Sequence, residues 1–283
     1  MRLEQILETP RKIRFAFGIS ILSASLVACQ STGGVYQDVP INRAVGSNTN
    51  IGSLSEVVNA NPTDANAYNT RGIAYAEAGR LDQALADFNR AIELNPNSYQ
   101  AYANKALVER RRKNYSAAID NYSRALQIKP NYAQALNGRG NTYRSLGQNT
   151  AALRDYNEVI RLTPNDAKAY HNRGLIYQAQ GLDQQAINDF SRAIGLNSHA
   201  YSPLIARGTI YLELNDPKAA LRDLGNAVIL NPRSSAAWTY KGQAEEALGK
   251  TDDARKSYRK ALLLSPGDAT AKAGYVRLGG QTT

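Results

Sequence analysis

Few residues in this chain could do chemistry. Cys29 is the only cysteine, so no internal disulfide can form. His171 and His199 are the only histidines, and their spacing is not that of a metal pair. The chain has no phosphate-binding Gly-rich loop ending in Lys, no nucleophile elbow and no zinc motif. Its acidic residues are scattered in the pattern of solvated helix faces. The expectation is a binding protein, not an enzyme, with no cofactor and no metal. The side chains suited to binding are amides and cations: Asn69, Asn104, Asn137, Asn141 and Asn172, with Arg110, Arg111, Arg144, Lys168 and His171. An amide both donates and accepts, so it can pair with an extended peptide backbone whatever the peptide's side chains. The cations would take acidic side chains or a terminal carboxylate.

These residues are positioned by a repeat. Six copies of a 34-residue unit run from Ala65 to Asp268 without insertion or deletion: 65–98, 99–132, 133–166, 167–200, 201–234 and 235–268. Small or apolar residues at positions 4, 8 and 11, then at 20, 24 and 27, step by four and three, the spacing of one helix face. Each unit is therefore predicted to hold two helices, with a Gly or polar turn at positions 15–18. Pro at position 32 ends five of the units, and Ser198 replaces it in the fourth. Residues 51–64 keep the register of a lone second helix, and 269–283 reads as a capping helix and tail.

The column of small residues at 8, Tyr at 11, Ala at 20, an aromatic at 24, Ala at 27 and Pro at 32 resembles the tetratricopeptide repeat, TPR. The resemblance covers about three quarters of the chain. It implies an all-α, right-handed solenoid whose concave wall is built from first-helix positions 2, 5, 6, 9, 12 and 13, where the amides and cations fall. Packed layers lie ~8–10 Å apart, so each repeat matches about three extended residues. The amide ladder could then hold a tail of about ten. Asn69 stands where the two-carboxylate clamp of chaperone-binding TPR domains needs Lys.

Position 7 is basic throughout, and each Arg there (Arg71, Arg139, Arg173, Arg207) faces an Asp at position 23. Lys105 and Lys241 meet Asn121 and Ser257 instead. This column reads as a structural Arg–carboxylate contact between the paired helices, expected at ~0–1 kcal/mol each for partly exposed pairs. The run Glu109–Lys113 reads as cations suited to a helix C-terminus. Trp238 reads as packing.

The first 28 residues read as a signal peptide: Arg11, Lys12 and Arg14 precede an apolar run from Phe15 to Ala28, too short for an ordinary membrane span. Leu26-Val27-Ala28-Cys29 resembles the bacterial lipobox, which implies cleavage before Cys29 and its acylation. Residues 29–50 are polar and read as a flexible tether. By analogy with enterobacterial sorting, Gln30 after the anchor points to the periplasmic face of the outer membrane. The chain carries +10 from 34 basic and 24 acidic residues, roughly +8 once residues 1–28 are removed with four basic and two acidic side chains. That balance suits anionic envelope partners, and an exported lipoprotein is not expected to meet nucleic acid. Lipobox plus solenoid resembles envelope adaptor lipoproteins of the NlpI type, which deliver wall hydrolases to a processing protease. The alternative is a TPR pilotin assisting secretin or pilus assembly. Partners are expected to be envelope proteins or peptides, and whether two solenoids form a homodimer stays open.

Overall fold

A computed structural model describes residues 45–281. The signal peptide, Cys29 and the tether up to residue 44 lie outside the described residues. The described chain is built of helices: α1 (Asn48–Ala60), then the pairs α2 (Ala65–Glu77) and α3 (Leu81–Leu94), α4 (Tyr99–Arg111) and α5 (Tyr115–Ile128), α6 (Ala133–Ser145) and α7 (Asn149–Leu162). The pairs α8 (Ala167–Ala179) and α9 (Asp183–Leu196), α10 (Tyr201–Glu213) and α11 (Pro217–Leu230), α12 (Ser235–Ala247) and α13 (Thr251–Leu264) follow, and α14 (Ala269–Arg277) closes the stack. α1 begins at Asn48, three residues inside the segment read as tether, because Ser47 caps it by accepting from the Asn50 amide at 3.2 Å.

Most first helices start at a side chain in position 34 of the preceding unit: Asp64, Ser98, Asp166, Ser234 and Asp268 each accept from an amide in the first turn. Their ends are set by position 15, which has positive φ in every unit. Gly79, Gly147, Gly181 and Gly249 adopt this left-handed geometry readily, whereas Lys113 (φ 64°) and Asn215 (φ 57°) adopt it with a Cβ. The position 8 glycines serve contact instead: a Cβ on Gly174 would lie 2.8 Å from the Phe190 ring. That is how an aromatic at 24 packs onto the backbone of its partner helix.

The Arg column is more buried than expected. Arg173 Nε and Nη2 both donate to Asp189 at 2.7 Å, and the same two-point fork joins Arg71 to Asp87, Arg139 to Asp155 and Arg207 to Asp223. These Asp residues are no more than 5% exposed. The remaining guanidinium nitrogen reaches back one unit, to Ser55, Ser123, Asn157 or Ser191 at position 25. The Arg therefore joins three helices, and the ~0–1 kcal/mol expected for an exposed pair does not apply to it.

First helices touch the first helices of neighbouring units (α2 with α4, α4 with α6, and so on to α14), while second helices do not touch one another. First helices therefore form the inner wall of the stack and second helices the outer one.

A candidate peptide-binding wall on the first helices

Positions 2, 5, 6, 9, 12 and 13 of the first helices lie on the face opposite positions 4, 7 and 11, as the helical period requires. The expected amide ladder is not continuous along them. Asn104 Nδ2 donates to Asn69 Oδ1 at 3.0 Å, and Asn137 Nδ2 donates to Asp166 at 2.9 Å. The first bond crosses from one unit to the next and the second joins Asn137 to the residue that caps the following first helix, so the amides stitch the wall. Asn141 and Asn172 are buried (5% and 0% exposed), and Asn141 accepts from the Tyr156 hydroxyl at 2.6 Å. Both were expected to face a ligand; instead they are closed in behind the wall, Asn141 by Tyr156.

His171 is also buried, at 6% exposure, against the Phe190 ring. Neither ring nitrogen has a hydrogen-bond partner. Its position 5 neighbours in other units explain this. Asn137 and Thr239 donate to Asp166 and Asp268 at position 34, but position 34 of the His171 unit is Ala200, which offers no side-chain acceptor. Burial pushes the imidazole down to about 4, and the Arg144 charge adds to the effect. His171 is neutral at physiological pH.

The cations gather as expected on units 2 to 4. Arg111 donates to the Ala76 carbonyl at 2.9 Å and lies 3.7 Å from Glu77. Arg110 and Arg144 are half-buried along the same wall, and Lys168 is exposed at the start of α8. Asn137 Oδ1 has no partner. Units 5 and 6 present Ile205, Leu212 and Tyr240 in the corresponding places, and Gln178 binds Thr209 at 3.1 Å between them and the cationic stretch. The wall thus offers a local patch of charge, not a uniform ladder. Sequence periodicity placed the residues on this wall but missed the bonds to the helix-capping Asp, whose only signal was Asn or Thr at position 5 with Asp at position 34.

Among the described residues no group of three or more His, Cys, Asp and Glu is placed to hold a metal ion. No helix among them is long and apolar enough to cross a membrane.

Comparison with known proteins matches TPR family profiles along most of the repeat array. The profile described as TPR repeat matches residues 106–143 and 140–181, and those described as tetratricopeptide repeat match 65–98, 167–199 and 205–269. No curated protein sequence matches the chain. Solved structures share the fold at low identity. Cut9–Hcn1 of the APC/C hetero-tetramer matches at TM-score 0.71 and 18% identity, over 83% of this chain and 46% of that one. PilF of Pseudomonas aeruginosa matches at 0.69 and 20%, over 75% of this chain and 97% of PilF. YrrB, described as a TPR protein with an unusual peptide-binding site, matches at 0.53 and 21%, over 66% and 96%.

Proposed function

The chain belongs to the tetratricopeptide-repeat family, and from that premise we propose that it is a non-enzymatic adaptor that holds an extended, acidic segment of a partner protein against units 2 to 4. The observation that carries this reading is the concentration of Arg110, Arg111, Arg144 and Lys168 on one stretch of inner wall. The cations supply charge-assisted bonds where a neutral wall would supply none.

On the same proposal, acylation of Cys29 anchors the adaptor at the periplasmic face of the outer membrane, with envelope proteins such as a processing protease and its wall-hydrolase substrates as partners; the lipobox-like Leu26-Val27-Ala28-Cys29 supports it. Two measurements test the reading. Photo-crosslinking in cells from Lys168, followed by mass spectrometry, should recover a defined partner that an Arg110→Glu/Arg144→Glu variant loses. Equal recovery by both forms refutes the wall as the site. Secretin subunits in the recovered set would move the function to pilus or secretin assembly. A Cys29→Ser form should leave the membrane fraction; if it stays, the anchor is wrong.

A further inference from the structure

Unit 6 departs from the repeat at several positions that converge on one groove. In units 1, 3, 4 and 5 an Arg–Asp fork joins the paired helices, with a Tyr ring at position 11 beside the guanidinium. In unit 6 these three places hold Lys241, Ser257 and Glu245; unit 2 holds Lys105, Asn121 and Glu109 there, but Glu109 accepts from Asn114 at 2.8 Å instead. Glu245 turns inward and is 4% exposed; it takes Lys241 Nζ at 2.5 Å and the Ser257 hydroxyl at 2.6 Å. A hollow of about 580 Å³ lies between α12 and α13 beside these side chains. That volume lies in the range of clefts that take a ligand.

The hollow has an apolar floor and a cationic mouth. Trp238 and Leu263 line it, and Leu263 is 73% exposed. One unit back, Ile229 at the same position 29 is 75% exposed, where units 1 to 3 carry Glu93, Gln127 and Arg161. Lys256, Arg259 and Lys260 surround the opening. Lys256 reaches Asp253 at 3.4 Å, whereas Arg259 and Lys260 form no ion pair or hydrogen bond among the described residues. Glu245 is already matched by Lys241, so the mouth keeps a surplus of positive charge. An inorganic anion would leave the indole and Leu263 unused, and an uncharged apolar ligand would bring no charge to Arg259 and Lys260.

We propose that the groove between α12 and α13 is a second docking site, separate from the inner wall. Its ligand is an acidic segment of a partner protein that seats one aromatic or aliphatic side chain between Trp238 and Leu263 and places carboxylates on Arg259 and Lys260. The site uses positions 4, 7 and 11 of the first helix, on the opposite side from the inner-wall positions. Both walls of the solenoid could therefore be occupied at once, as an adaptor joining two partners requires.

Trp238 is the only tryptophan, so its fluorescence reports this site alone. The probe is a capped peptide of Glu and Asp carrying one Phe, titrated into the folded chain beside a counterpart with Gln and Asn in place of the acids. The acidic peptide should shift the emission saturably. Arg259→Ala/Lys260→Ala should weaken it about tenfold, the scale of two exposed charge pairs, and Leu263→Ser should weaken it as well. All three side chains are exposed, so circular dichroism should show the variants folded. Arg144→Ala on the inner wall should leave the titration unchanged, which separates failure of this site from failure of the wall. The proposal is overturned by no saturable shift, by equal shifts from both peptides, or by full binding to the Arg259/Lys260 variant. A shift seen only with phosphatidylglycerol vesicles also overturns it, because the occupant would then be a lipid surface.

Discussion

Truncating Arg173 to Ala should cost far more than an ordinary surface ion pair. Asp189 is 5% exposed and receives both Arg173 bonds at 2.7 Å, while Asn157 of the preceding unit takes a third at 2.8 Å. Removing the guanidinium leaves a carboxylate that the surrounding helices shield from water. Breaking such a pair from one side costs roughly 3–5 kcal/mol. The Arg173 side chain is 19% exposed, so water can partly replace it, and the lower figure of about 3 kcal/mol applies. At ~2–4 °C per kcal/mol for a solenoid of this size, the melting temperature should fall by about 6–12 °C. A repeat array can open locally, so amide hydrogen exchange should accompany the melt. Protection should be lost mainly in α8, α9 and the adjoining α7, and least in α2. The double replacement Arg173→Met/Asp189→Leu removes both charges and should recover most of the loss. A drop under about 1 kcal/mol for Arg173→Ala, the range of a solvated pair, would refute the account. So would a double variant as unstable as the single one.

Acid should loosen the solenoid through His171. Its folded value is about 4 against ~6.5 in an unfolded chain. The contribution is therefore fully present above pH 6.5 and is lost as pH falls toward 4. Linkage puts the loss at about 2 kcal/mol between pH 7 and pH 5, visible as a lower urea midpoint in the wild type and absent in His171→Leu; parallel pH curves for the two proteins would count against it. The left-handed turn at Lys113 (φ 64°) should be relieved by glycine. Lys113→Gly is expected to stabilise by ~1 kcal/mol, with a smaller gain for Asn215→Gly because Asn tolerates that conformation. Equal effects in denaturant titrations would remove strain as the explanation.

The amino-acid order alone determined the helices, their pairing and the Arg–Asp column, since each depends on contacts at fixed separations within one unit or between adjacent ones. Gly174 beneath Phe190 and Arg173 beside Asp189 are both 16 residues apart in the chain and were readable from spacing. Inner-wall accessibility was not readable in that way. Asn137 and Asn141 sit on the same helix with the same chemistry, yet one reaches across to Asp166 and the other is closed in beneath Tyr156. The difference depends on whether the side chain that packing places opposite is an acceptor, a ring or, as with Ala200 opposite His171, neither. Burial of Glu245 with Lys241 and Ser257, beside the hollow between α12 and α13, was likewise not readable, since Glu109 in the matching place of unit 2 turns to Asn114 instead. Periodicity reports the average unit; exposure and charge compensation arise from the particular neighbours that tertiary packing brings together, and those decide where a ligand can bind.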